Sequence, residues 1–129
     1  MARKKGSFDD VRRLGRAMPD VEEGTSWGVP ALRHGGRVIC CIPVHKDAER
    51  DSLVVMLPID QRDALVEEEP DVYYLKPHYV GHPCVLVRLA HVREDALRDL
   101  LITAARFVSD SGRRKPRKSS PRSRGRRRT

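Results

Sequence analysis

The groups in this 129-residue chain that could do chemistry are an imidazole–phenol cluster, three thiols and a dense run of cations. His78, Tyr79 and His82 stand within five positions of one another, a spacing that superficially suits acid–base work or a metal pair. Pro77, Gly81 and Pro83 interrupt that segment and make it a loop, and no carboxylate in it is positioned by sequence to orient an imidazole. Cys40, Cys41 and Cys84 are odd in number and lack CxxC spacing, so neither a disulfide framework nor a zinc knuckle is indicated. From a regular strand, Cys40 and Cys41 would point to opposite faces and could not ligate one metal. No P-loop, dinucleotide fingerprint, nucleophile elbow or HExxH sequence occurs. The expectation is a protein that is not an enzyme, with no cofactor, no catalytic residue and no metal.

The cations give the stronger signal. Ten of the chain's 26 Lys and Arg residues fall in positions 111–129, which contain no Asp or Glu. They are Arg113, Arg114, Lys115, Arg117 and Lys118, then Arg122, Arg124, Arg126, Arg127 and Arg128. That stretch is +10, whereas residues 1–110 carry 16 basic against 18 acidic residues; the whole chain is +8. The basicity is appended to a nearly neutral body. A run this dense binds polyanions by releasing counterions, and about five engaged phosphates give a slope of log K on log salt near −4 to −5. With no aromatic ring in the run, base stacking is limited to the guanidinium planes. Nucleic acid, DNA first and mostly without sequence preference, is the expected partner; a solvated tail without a dedicated partner is the plain alternative.

Four of the six aromatic residues are Trp27, Tyr73, Tyr74 and Tyr79. As a functional set, Trp27, Tyr73, His78 and Tyr79 would line a pocket for a small planar ligand or a partner protein. As a structural set, Trp27 and one of the adjacent tyrosines pack between sheet and helices.

The elements that must position these groups follow from periodicity. Phe8, Val11, Leu14 and Met18 form one apolar stripe on a first helix over residues 8–18, capped by Ser7 and stopped by Pro19. Residues 25–33 read as extended, His34-Gly35-Gly36 as a tight hairpin turn and residues 37–42 as the return strand. A charged loop from Val44 to Asp51 precedes a strand from Ser52 to Leu57, completing an antiparallel meander. Asp60 opens a short helix ending near Glu68, with Ala64 and Leu65 inward, and an apolar strand runs from Cys84 to Leu89. Leu97, Leu100, Leu101, Ala104, Phe107 and Val108 mark the buried face of a last helix over residues 94–108. From Ser109 onward the periodicity stops, and residues 110–129 read as a disordered basic tail beside a single domain of residues 1–109. No run reaches the 18 apolar residues of a membrane span, and the N-terminus has no apolar signal core, so a cytoplasmic protein without a membrane partner is expected. The oligomeric state is left open.

TSWGVP at Thr25–Pro30, the PALRHGGRV that follows, EPDVYYLKPHYVGHPCVLVRL at Glu69–Leu89 and the long last helix together resemble the MmcQ/YjbR-like family of small bacterial proteins, over residues 7–108. The resemblance implies an α+β fold, a CyaY-like two-layer sandwich in which helices cover one face of an antiparallel sheet. It also implies a proposed DNA-binding role through a double wing of β-hairpins. The wing candidates here are the turn at His34–Gly36 and the loop at Val44–Asp51, and Arg33 and Arg37 flank the first. In the second, Asp47, Glu49 and Asp51 offset Lys46 and Arg50, which does not suit phosphate. The carboxylate ridge that a frataxin-style iron reading needs is missing, because the first helix carries Arg12, Arg13 and Arg16 beside Asp9 and Asp10.

Overall fold

A computed structural model describes residues 8–26, 28–44 and 48–114, with side chains through Asp110. Ser7, Trp27, Lys46, Asp47 and the basic residues from Lys115 onward lie outside the described residues. The elements are α1 (Phe8–Arg16), β1 (Val21–Ser26), β2 (Val29–His34), β3 (Arg37–Cys41), β4 (Ser52–Met56), α2 (Ile59–Glu68), β5 (Tyr73–Tyr74), α3 (Pro77–Val80), β6 (Cys84–Arg88) and α4 (Glu94–Arg114). The strands form one antiparallel sheet in the order β1-β2-β3-β4-β6-β5, giving the expected α+β architecture.

Strand alternation sorts the side chains onto two faces. Leu53 and Val55 of β4, Val85 and Val87 of β6 and Tyr73 of β5 join a large core with Val11 and Leu14 of α1 and Leu97, Leu100, Leu101 and Ala104 of α4. The fully buried leucines among them each contribute roughly 2 kcal/mol by leaving water. Their strand neighbours Val54, Leu86, Cys84 and Tyr74 form a smaller cluster with Tyr79 of α3 on the opposite face. α1 sits close on the sheet because residue 15 is glycine: a Cβ there would meet Leu32 Cδ1 at 2.6 Å.

Three local features depart from the expected elements. The extended stretch 25–33 is two strands: Ser26 pairs with Val29, and Gly28 takes a positive φ of 80° that lets the chain reverse. β3 carries an extra residue, since Leu32 pairs with Cys40 but Arg33 with Val38. That bulge lets both Ile39 and Cys40 enter the large core, while Cys41 packs on the other face. In α2, Ala64 is exposed and Arg62 is buried instead; its Nη1 donates to the carbonyls of Val80 and His82, both at 2.9 Å, and Nε to Asp63. A guanidinium is long enough to pass the apolar layer and satisfy two carbonyls, which burying a methyl cannot do.

Candidate nucleic-acid interface

The β2–β3 turn forms as its glycines dictate. Gly35 and Gly36 have φ of 59° and 84°, the left-handed pair of a two-residue hairpin turn. Arg33 braces it, with Nη1 donating to Gly36 O at 3.0 Å and Nη2 to Thr25 O at 2.9 Å across β1. Arg37 is exposed at the first position of β3 and makes no ion pair among the described residues. α4 reaches the same end of the sheet, where Ser109 Oγ lies 3.0 Å from His34 Nδ1. The helix then continues through Arg114, whereas its end was expected at Val108 and disorder from residue 110. Extending a helix already anchored by its buried face adds a hydrogen bond for each residue fixed, and cations favour a helix C-terminus, so lost apolar periodicity did not mark its end.

At the other end of β3, charge is internally matched. Arg88 Nε and Nη2 donate to the two carboxylate oxygens of Glu49 at 2.8 and 2.9 Å, and its Nη1 to Pro70 O at 2.9 Å. The guanidinium carbon lies 4.3 Å from the Tyr74 ring centroid. Tyr74 Oη accepts from Glu49 N at 2.8 Å and shares a 2.6 Å hydrogen bond with Ser52 Oγ. The hydrogen bond from Arg88 holds the Glu49 carboxyl below its ordinary range, and the same pair raises Arg88. The two expected wings are therefore not neighbours. The turn at 34–36 precedes β3 and the 44–51 loop follows it, so they stand at opposite ends of one strand.

α1 offers little free charge. Arg12 bonds Glu23 and Asp9, and Arg13 bonds Glu94 at 3.1 Å and Asp10 at 3.4 Å. Arg12 and Arg13 are raised, first by their hydrogen bonds to Glu23 and Glu94 respectively.

The aromatic set is divided. Tyr73 belongs to the helix-side core and Tyr79 to the opposite cluster, so the two cannot line one pocket. Burial, then the Glu69 charge, raises the Tyr73 phenol. Both adjacent tyrosines are buried, one on each face, where one was expected. His78 is exposed, stacked edge-on against Tyr79 with centroids 4.9 Å apart and 6.1 Å from the His82 ring. The segment is the short helix α3 where a loop was expected. Burial pushes the Cys40 and Cys41 thiols up and Cys84 to about 11, against the thiolate that nucleophilic or metal chemistry requires. Among the described residues no group of three or more His, Cys, Asp or Glu could hold a metal ion. No described helix is long and apolar enough to cross a membrane.

Sequence reasoning missed His34, Ser109, Arg98 and Arg106 as neighbours. Arg98 and Arg106 are eight positions apart on the exposed face of α4, a legible spacing, but the contact of Ser109 with His34 joins residues 75 apart.

Comparison with known proteins agrees with this architecture. The YjbR family model matches residues 16–105. Proteins of Mycobacterium tuberculosis (Rv2570) and Mycobacterium bovis (Mb2600) are each 46% identical over 41 residues, 32% of this chain and 32% of theirs. The matched stretch thus spans about a third of the length of these curated relatives. The crystal structure of Deinococcus radiodurans protein DR2400, of domain family DUF419, superposes with a TM-score of 0.67 at 19% identity, covering 88% of this chain and 86% of that one. That likeness is one of fold.

Proposed function

The chain belongs to the YjbR family, and we propose that it is a nucleic-acid-binding protein that grips phosphates through its basic C-terminal segment, with DNA as the first candidate. The observation that carries this reading is ten Lys and Arg residues without one carboxylate in positions 111–129, joined to a body of net −2. Support comes from α4, which runs into that segment beside the His34–Arg37 turn, so the exposed Arg37 and the onset of the basic run share one end of the sheet. Arg33 braces the turn through carbonyls and acts on the partner indirectly. In this reading the segment supplies affinity and encounter rate, and the body supplies any selectivity. Binding, rather than catalysis, is the proposed activity.

The test compares the full chain with a full-length variant whose ten tail cations are Gln, on duplex DNA of unrelated sequences across a salt series. The native chain is expected to show a log K against log salt slope of about −4 to −5, and the variant a slope near zero. Unchanged affinity in the variant would sink the reading. Equal affinity for a single-stranded RNA would move the preferred partner away from DNA.

A further inference from the structure

We propose that the cleft between the C-terminal end of α1 and the middle turns of α4 is a binding site for a small organic anion with an apolar body, a medium-chain or aryl monocarboxylate. The cleft has a volume of about 430 Å³ and a floor of Leu14, Ala17, Met18, Ile102 and Ala105. Natural small-molecule sites occupy roughly 300–1,000 Å³ and are mostly apolar with a few convergent polar groups. Ala17 is exposed, and Met18 and Ile102 are only half-buried, so apolar surface is left open where two helices could have closed over it.

The charge at the mouth selects the ligand. His34, Arg98 and Arg106 border the cleft, and Asp110 is the only carboxylate among its described lining residues. Arg98 stands 3.7 Å from Glu94, too far for a hydrogen bond, and Arg106 makes no ion pair among the described residues. Two guanidiniums beside an apolar floor match a carboxylate on an apolar body, since the fork geometry of Arg takes both carboxylate oxygens. The opposite side of α4 supplies an internal contrast. There a cleft of about 450 Å³ against α2 is bordered by Glu69 and Asp99, which would repel the same ligand. The cationic mouth is therefore a property of one cleft and not of the helix. The site is separate from the phosphate-binding segment and stands or falls without it.

The experiment titrates the full chain with 8-anilinonaphthalene-1-sulfonate and displaces the dye with decanoate or decanol. Two variants accompany it: Ala17→Trp, which sets a ring over the floor from an exposed position, and Arg98→Gln with Arg106→Gln. Circular dichroism verifies that each is folded. The native chain is expected to bind the dye saturably and to release it to decanoate at concentrations at least tenfold below those needed of decanol. Ala17→Trp is expected to weaken the dye at least tenfold, and the double Gln variant to shrink the advantage of decanoate below threefold. Dye binding unchanged in Ala17→Trp would overturn the proposal, because the anion would then sit elsewhere, on the cationic segment for instance. So would equal displacement by decanol and decanoate in the native chain, or no dye binding at all.

Discussion

The two ends of β3 treat their arginines differently. After the strand, Arg88 is enclosed by both oxygens of Glu49, the ring of Tyr74 and two backbone carbonyls. Before it, Arg37 stands exposed on a two-glycine turn, and α4 arrives beside it with the chain's densest run of cations ahead. The same residue type is a clasp at one end and an open charge at the other. A count of arginines predicts neither role; what decides is whether a loop brings a carboxylate and a neighbouring strand a ring.

The contrast breaks most visibly at the closed end. Arg88→Ala leaves the Glu49 carboxylate without its bidentate donor and Tyr74 without the nearer of its two cations, and should cost about 2 kcal/mol in urea unfolding. A loss below about 0.5 kcal/mol would mean that the clasp contributes little and that loop 44–51 is held by other contacts. Smaller, and on a different readout, is the effect of Arg37→Glu. It should leave stability unchanged and weaken duplex binding about fivefold at low salt, while Arg50→Glu at the closed end leaves binding as it was. Equal weakening by the two would remove the distinction between the ends. Smallest is the pH dependence of the clasp. The Glu49 carboxyl is held low in the folded protein, so its contribution to stability is complete at neutral pH and fades as acid takes it through and below the ordinary carboxylate range. Glu49→Gln should therefore be less stable than the native chain near neutrality, and the two unfolding curves should converge on acidification. Parallel curves down to the lowest pH would show that the pair adds nothing to folding.

Much of the scaffold was legible in the residues. The Gly35–Gly36 turn and the apolar face of α4 rest on local chemistry, a backbone angle and a 3.6-residue period, and both formed as read. The break at Gly28 was not legible because Val29, Pro30 and Ala31 continue an extended pattern through it. Tyr73 and Tyr74 illustrate a different failure. Period-two alternation separates them by face, yet grouping rings by proximity in sequence put Tyr73 with Tyr79, across the sheet. The cleft between α1 and α4 was beyond sequence reading, since its floor and mouth draw on residues 14–19, 34 and 98–110, and no local pattern announces that they meet.

The outer strands of the sheet bear on how copies of this chain tolerate one another. β5 is only two residues long, but β1 presents six residues at the opposite margin, long enough to template another strand. Glu22 and Glu23 are its second and third residues, one on each face. Arg12 already pairs Glu23, but Glu22 keeps an exposed carboxylate on the margin, and a charge on an edge strand disfavours sheet growth between molecules. An uncovered edge of six residues is in this way guarded against fusing with copies of itself into fibres.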